Sequence, residues 1–555
     1  MIKNIAHIVV NAPVEGAFDY CVPEEYRADI ALGMRVLVSF RRRKCVGIVV
    51  GFAEKSAILK LNNVLALLDE EPVFPPLFLK FAEIFALRFG CSLGDALTLF
   101  LPSYLRAPKK FAGPADGAVK EAARPVKKGV FTLLFDHGLT QRWDILSQRI
   151  QETLQRGEGV ICLVPDGSYV EGVSLRLRKI SGEDVVFLSQ GTDKEEFERW
   201  KILWSGRARV ALGFISAAFA PVKKLGLLVV LDEESASYKH DQSPFYHARE
   251  AVFLRAVVEG ADILYVSSAP SIEARKLVAD RKVVLTELKE SLSPVKFLDL
   301  TNFKMRKGTF LSQPLRQHLE RVVKEGKKAC LYIQASRGTE SVVEEIRSSL
   351  WGARVLGYDK ASSGLKDNFD ILVTTQAVFR HRENLRFALS VVLDIDWEFH
   401  KADYRASHGA FLLVRYLRQM SEECVLLQTR NMAQELLPLM AHDDTSGFYA
   451  RELSSRKEMG FPPYAYFAAV VVRSSDPQLA CGEAKLLYDK LSSAAVKGVE
   501  IFEPQQDRAA IVRGKFRYCV MVRGESLKSV MALVKDTQRN FRRKKDIVLT
   551  VNVNP

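Results

Sequence analysis

No two cysteines of this chain form a CxxC pair. The eight of them, Cys21, Cys45, Cys91, Cys162, Cys330, Cys424, Cys481 and Cys519, are scattered over 555 residues. Scattered thiols fit a reducing compartment and argue against both a disulfide framework and a zinc site built from neighbouring cysteines. Long apolar runs are missing too: nothing approaches the roughly 18 residues of a membrane span, and the N-terminal MIKNIAHIVV has no long signal core. The expected setting is the cytoplasm, with no membrane partner. What the chain has in excess is positive charge, 80 Lys and Arg against 66 Asp and Glu, a net +14. Such an excess points to a polyanionic partner. A hydrophobic fraction of 48% over this length describes a folded protein of about three to five domains.

Periodicity divides the chain. Residues 1–66 alternate like short strands punctuated by Gly33 and Gly47, which predicts a small N-terminal β domain. Arg41, Arg42 and Arg43 fall between two of these strands, open to two readings: a solvated hairpin tip or a phosphate contact. Residues 67–106 space their apolar side chains at three and four, predicting a compact helical or winged-helix-like domain. Residues 107–128, rich in Ala, Pro, Gly and Lys, read as a linker. Two successive series of apolar strands and amphipathic helices follow, over 129–300 and 301–440. That is the pattern of two RecA-like parallel-sheet lobes. The remainder, 441–555, approximates the ferredoxin-like βαββαβ order if one hairpin counts as a split strand. The fold class is therefore multidomain α/β.

In the first lobe the strand LGLLVVL ends at Asp232-Glu-Glu234 and leads to Tyr246-His-Ala-Arg249. An acidic strand end is where a P-loop nucleoside triphosphatase holds Mg²⁺ and orients water, and it is also an ordinary solvated turn.

Short segments recur along the chain in a fixed order: Phe18-Asp-Tyr20, Gly33-Met-Arg-Val36, Leu163-Val-Pro165, Phe219-Ala-Pro221, Asp232-Glu-Glu234, Ser237-Tyr-Lys239, Tyr246-His-Ala-Arg249, Arg337-Gly-Thr-Glu340, Thr375-Gln376, Asp403-Tyr-Arg-Ala406, Gln428-Thr429, Phe461-Pro-Pro463 and a final VNVNP. In these the chain resembles the family of primosomal protein N′, or PriA, the bacterial replication-restart helicases of superfamily 2. The resemblance implies a 3′-DNA-end-binding domain at the N-terminus and DNA, branched or fork-like with a 3′ end, as partner. Primosome, helicase-loading or single-strand-binding proteins are further partners of that kind.

The departures concern nucleotide and zinc chemistry. Where relatives read GVTGSGKTE, this chain reads DHGLTQRWD from Asp136 to Asp144. A phosphate cradle needs glycines in conformations other residues resist, and only Gly138 remains, off register. Arg142 falls at the family's lysine and Trp143 at its threonine, where indole offers Mg²⁺ no oxygen. The family's arginine-finger run is replaced by Leu417-Arg-Gln-Met-Ser-Glu-Glu423, with Arg415 and Arg418 nearby but not expected to substitute, since a finger needs sub-ångström placement. The cysteine-rich zinc insertion is missing after Cys330. ATP, Mg²⁺ and zinc, implied by the family, are therefore not expected as cofactors.

The expected activity is binding of fork-like DNA as a loading platform in replication restart, without helicase activity; Arg142, Asp232 and Glu233 are remnants of the motor site. Two alternatives stay open: a divergent but active ATP-dependent 3′-5′ helicase, and an interaction scaffold that has lost DNA. By the resemblance Asp19 meets the 3′-terminal nucleotide, where a carboxylate accepts from a hydroxyl and repels a phosphate; it also reads as a turn cap. Phe18 and Tyr20 either stack on bases or pack the strand core. Lys515 and Arg517, with the run Arg542 to Lys545, are a candidate phosphate-binding face. Lys239 and Arg249 either touch DNA or neutralise the acidic strand end.

Overall fold

The computed structural model describes all residues except 1–2, 13–15, 114–127, 183, 189–190, 304–308, 335–337, 363 and 542–543. In chain order the N-terminal elements are β1 (Ile5–Val10), β2 (Phe18–Cys21), β3 (Arg35–Phe40), β4 (Arg43–Ala53), β5 (Asn62–Asn63), β6 (Ala66–Leu67), α1 (Pro76–Phe89), α2 (Leu93–Phe100) and α3 (Ser103–Arg106). The first alternating series is β7 (Phe131–Asp136), α4 (Arg142–Gln155), β8 (Gly159–Leu163), α5 (Val170–Ser181), β9 (Val185–Leu188), α6 (Asp193–Ser205), β10 (Val210–Gly213), β11 (Leu225–Leu231), α7 (Ala248–Glu259), β12 (Asp262–Ser267), α8 (Ile272–Ala279) and β13 (Val284–Leu288). The second is β14 (Val295–Asp299), α9 (Gln313–Lys324), β15 (Ala329–Tyr332), α10 (Thr339–Ser349), β16 (Val355–Tyr358), β17 (Ile371–Thr374), β18 (Phe387–Val392), α11 (Ile395–Phe399), α12 (Ala406–Met420), β19 (Ser421–Thr429), α13 (Leu436–Ala441) and α14 (Thr445–Met459). The chain closes with β20 (Tyr466–Ser474), α15 (Pro477–Ser493), β21 (Val499–Ile501), β22 (Gln505–Val512), β23 (Lys515–Gly524), α16 (Leu527–Asn540) and β24 (Val548–Val553).

These elements gather into two compact units, one of residues 1–131, 147–265 and 460–555, the other of 132–146 and 266–459. Within the first unit, strands β1 to β6 form one sheet in the order β5-β2-β1-β4-β3-β6. Alternation puts Ala6, Ile8 and Val10 into its core with Val36, Val38 and Val49. Helices α1 to α3 follow. Helix α1 begins with Pro76 in its first turn and stops at Gly90 in the left-handed region, the usual asymmetry of helix ends. Residues 67–106 thus form the compact helical alternative, and among the described residues no wing hairpin follows them. The reason is the aromatic face of α1: Phe81 and Phe85 pack on Phe100, Phe219 and Tyr246, so burial comes from neighbouring elements of the unit. Of the expected linker, 114–127 lie outside the described residues, while Phe111 before them is buried and bridges to Asp69.

The same unit holds the parallel strands β12-β11-β8-β10-β9, in that order, with β8, β10 and β11 buried throughout. Its last part is the sheet β21-β23-β20-β24, with β22 also on β23. Because β21 and β22 both pair with β23, the ferredoxin-like order is met with its second strand split in two.

In the second unit β13 pairs with β7, and six parallel strands run in the order β14-β19-β18-β15-β17-β16. Strand β14 belongs to this sheet, so the passage between the two series lies between β13 and β14, ahead of the expected 300. Likewise Leu436, Leu437, Met440, Phe448 and Tyr449 of α13 and α14 join the apolar core of this sheet. The C-terminal region therefore begins near Gly460 and not at 441. Among the described residues no helix is long and apolar enough to cross a membrane.

Candidate functional site

Residue Asp19 stands on β2 directly opposite His7 on β1. His7 Nδ1 lies 2.8 Å from Asp19 Oδ1, and Ser56 Oγ donates to Asp19 Oδ2 at 2.5 Å. The Ser56 hydroxyl first, and then His7, hold the carboxyl below its usual range against the opposing effect of burial. Its side chain keeps 20% of its surface exposed. This is an ionised acceptor, fixed in orientation and open to a ligand. Neighbours on a strand point to opposite faces, and Tyr20 accordingly points inward. It is 3% exposed, with its hydroxyl donating to the Ser39 carbonyl at 3.0 Å. The stacking reading of Tyr20 is corrected to core packing. Phe18 is half-buried against the Phe40 ring, centroids 4.9 Å apart.

The hairpin joining β3 to β4 turns on Arg41 and Arg42, with φ of 49° and 63° and Phe40 paired to Arg43. Two-residue turns of this hand favour Asn-Gly, and each non-glycine residue there costs roughly 1–2 kcal/mol. The exposed arginines Arg41, Arg42 and Arg43 are held on strained backbone, a feature that concentrates at functional sites.

At the phosphate-loop position, between β7 and α4, the loop is closed by acids. Asp136 is 1% exposed and accepts from the Arg142 backbone N–H at 3.1 Å. Burial pushes its carboxyl above the usual range. The Glu290 carboxylate accepts from Thr140 Oγ1 at 2.8 Å and fills the space a side chain on Gly138 would need. His137 Nε2 lies 2.9 Å from Glu287, and Gln419 donates to the His137 carbonyl at 2.7 Å. Arg142, the remnant at the lysine position, is fully buried and paired with Glu383. An open cavity of about 410 Å³ beside the loop is lined by His137, Glu287, Glu290, Asp443 and Asp444 among others. Carboxylates crowd where a nucleotide would bring its phosphates, and Trp143 supplies no oxygen for a cation. The residues present do not fit MgATP.

At the acidic end of β11, Asp232 adopts φ 47° and accepts from the Tyr169 hydroxyl. Glu233 is fully buried and ion-paired at 2.8 Å with Arg249, which is also buried. Of the two readings of Arg249, neutralisation of the strand end is the one met. Lys239 is half-buried and donates to the carbonyls of Val553 and Asn554 at 3.0 and 3.1 Å, tying the polar segment after β11 to the end of β24. Neither side chain is offered to DNA as a free charge.

In the second unit Arg415 and Arg418 both pair with Asp443, each at 2.6 Å. They are buried, and so are not presented as a finger. Among the described residues no group of three or more His, Cys, Asp or Glu is arranged to hold a metal ion, and all eight cysteines are free thiols. In the C-terminal region Lys515 pairs with Asp546 at 3.0 Å, Arg517 with Asp507 at 2.6 Å and Lys544 with Glu483 at 2.9 Å. Arg542 and Arg543, like Arg337, lie outside the described residues. His7, Ser56, Glu287, Glu290, Glu383 and Asp443 escaped the sequence reading. Only His7 left a usable signal there, an outward position on a strand flanking Asp19.

Residues 7–102 match the PriA 3′DNA-binding domain (3′BD). The replication restart protein PriA of Treponema pallidum is 23% identical over 99% of this chain and 98% of its own length. Over nearly its whole length the chain is similar to the PriA replication restart proteins. Its Haemophilus influenzae relative is 20% identical over 100% of this chain and 99% of its own, and the Bacillus subtilis one 22% over 76% and 63%. Among solved structures, RecG bound to a three-way DNA junction covers 59% of this chain and 44% of its own at 14% identity and a TM-score of 0.41. The matched 3′DNA-binding domain holds Asp19, His7 and Ser56, and with that domain goes DNA as a partner. The parallel strands in two successive series meet the multidomain α/β class expected from the sequence.

Proposed function

We propose that this protein binds branched or fork-like DNA through a free 3′ end and acts as a loading platform in replication restart, without turning over ATP. The observation that carries the reading is the Asp19 corner. An ionised carboxylate held by two donors accepts a hydrogen bond from a 3′-hydroxyl and repels a 3′-phosphate. The strained arginine hairpin supplies cations from the same small domain. Silence of the motor is read from the acids packed into the β7–α4 loop. A buried acidic pair on β11 without a phosphate cradle lacks most of the charge stabilisation phosphoryl transfer requires. The platform needs neither Mg²⁺ nor zinc, and the proteins it would receive are of the primosome, helicase-loading or single-strand-binding kind.

Binding of a fork ending in a 3′-hydroxyl, compared with the same fork ending in a 3′-phosphate, tests the reading by fluorescence anisotropy. The expected result is tighter binding of the hydroxyl end, a preference lost in Asp19→Ala and unaffected by EDTA. Equal affinity for both ends in the wild-type protein would overturn end recognition. No binding of either fork would favour the scaffold reading.

A further inference from the structure

His7 stands opposite Asp19 of β2 on one side and opposite Gly51 of β4 on the other. The register of β1 against β4 shifts between His7 and Ile8, so the strand is irregular at this residue. Such irregularities re-aim a side chain and concentrate next to working sites. A Cβ placed on Gly51 would lie 2.9 Å from His7 Cδ2, so the bare glycine leaves the ring room to lie across β4. The imidazole is thereby held between two strands with Nδ1 turned to Asp19 Oδ1 at 2.8 Å, and its side chain keeps 36% of its surface exposed. Nε2 makes no hydrogen bond among the described residues.

An ionised carboxylate only accepts, so the nitrogen that meets Asp19 carries the ring proton, and a neutral His7 presents a bare Nε2. Protonation turns Nε2 into an exposed N–H donor and offsets the charge of the carboxylate beside it. Imidazole is the side chain whose ordinary titration falls between about pH 5 and 8. The Asp19 carboxyl, held below its usual range first by Ser56 and then by His7, stays ionised across that window. The other elements around the corner bring no charge to it. Strand β4 offers Gly51, the chain after β4 offers the Ser56 hydroxyl to the far oxygen of Asp19, and Cys21, on the same face of β2, stands opposite Ile5 and not His7.

We propose that His7 is a proton-operated selector of the 3′ end. With His7 neutral, the Asp19 carboxylate accepts from a 3′-hydroxyl and repels an end that carries phosphate. With His7 protonated, the pair has no net charge, Nε2–H donates to a phosphate oxygen, and the anionic end is admitted. Discrimination between ends thus belongs to the pair and is largest on the alkaline side of the imidazole titration. The inference deepens the 3′-end reading above and rests on it.

The test compares a fork ending in a 3′-hydroxyl with one whose 3′ oxygen carries a propyl phosphodiester. The diester keeps a single charge throughout, whereas a terminal phosphate monoester would itself titrate near about pH 6. Affinities of the full chain are measured by fluorescence anisotropy at about pH 8 and about pH 5.5 and expressed as a ratio between the two ends, in which the effect of the other histidines on fork binding cancels. The preference for the hydroxyl end should fall roughly five-fold from the higher pH to the lower, about the worth of one unit charge at contact distance in water. In His7→Asn, whose amide nitrogen replaces Nδ1 as donor without titrating, the ratio should be the same at both. Histidine-ring NMR of the wild-type chain gives a readout that needs no variant. By linkage, the end that favours protonated His7 raises its midpoint, so His7 should titrate at higher pH in the phosphodiester complex than in the hydroxyl complex. A wild-type preference that does not change with pH overturns the selector and leaves end recognition standing. Equal midpoints in the two complexes, or a ratio that falls as far in His7→Asn, do the same. Absence of any preference at the higher pH overturns the end-recognition reading itself.

Discussion

Two aspartates at strand positions, Asp19 and Asp136, have opposite fates. Asp19 keeps a fifth of its side-chain surface and a lowered pKa, because Ser56 and His7 donate to it. Asp136 is sealed at 1% exposure with a raised pKa, and acids crowd the same loop. The first corner holds a ready charge where a ligand can enter. The second is buried beside the acids Glu287 and Glu290. The same residue type thus meets opposite surroundings in the two places, exposed with two donors at Asp19 and buried among acids at Asp136.

The largest effect is expected at the buried acid that ends β11. Glu233→Ala leaves the buried Arg249 without its carboxylate and should destabilise the fold by about 3–5 kcal/mol, read by denaturant titration. Retention of full stability would mean that the pair at β11 is not structural. Asp19→Ala should cost much less stability than that, while removing about 1.5–3 kcal/mol of preference for the 3′-hydroxyl end, a ten- to hundredfold effect in anisotropy.

The pKa directions give opposite pH signs. The lowered pKa of Asp19 contributes stability above the usual carboxylate value and loses it only as pH falls through that lowered pKa. The raised pKa of Asp136 works against folding at neutral pH, and that penalty disappears as pH falls from its raised value toward the ordinary one. Asp136→Asn, which can still accept from the Arg142 N–H, should therefore raise Tm at pH 7, with a gain that shrinks on acidification. A gain that grew on acidification would reverse the assignment. The smallest effect is expected at the supports of Asp19: Ser56→Ala or His7→Ala should each weaken the end preference by about 1 kcal/mol. End preference unchanged in both would show that the carboxylate needs no help.

Much of this was legible in the sequence, and the exceptions have physical causes. The buried strands β8, β11 and β15 are short unbroken apolar runs and declared themselves. Strands β13 and β14, VLTEL and VKFLD, are partly exposed edges whose charges obscure alternation, so the sequence does not announce them. The loss of the phosphate loop could be read from DHGLTQRWD, because glycine is the residue such a loop needs. What fills the loop could not, since Glu290, Glu383 and Gln419 come from more than a hundred residues away. At Asp19 the acid was found through its motif, whereas its supports His7 and Ser56 lie in separate segments that only the sheet brings together. The inward turn of Tyr20 followed from strand alternation alone, yet the motif drew attention to all three residues of Phe18-Asp-Tyr20 equally.

The central claim is that the DNA-binding corner works and the motor does not. It is tested most directly by steady-state ATP hydrolysis by the full chain with Mg²⁺, with and without a 3′-hydroxyl fork at saturating concentration. The account predicts no turnover above the buffer rate in either condition, alike in the wild-type protein and in Asp232→Asn, while the fork is bound. Fork-stimulated turnover that Asp232→Asn abolishes would contradict it.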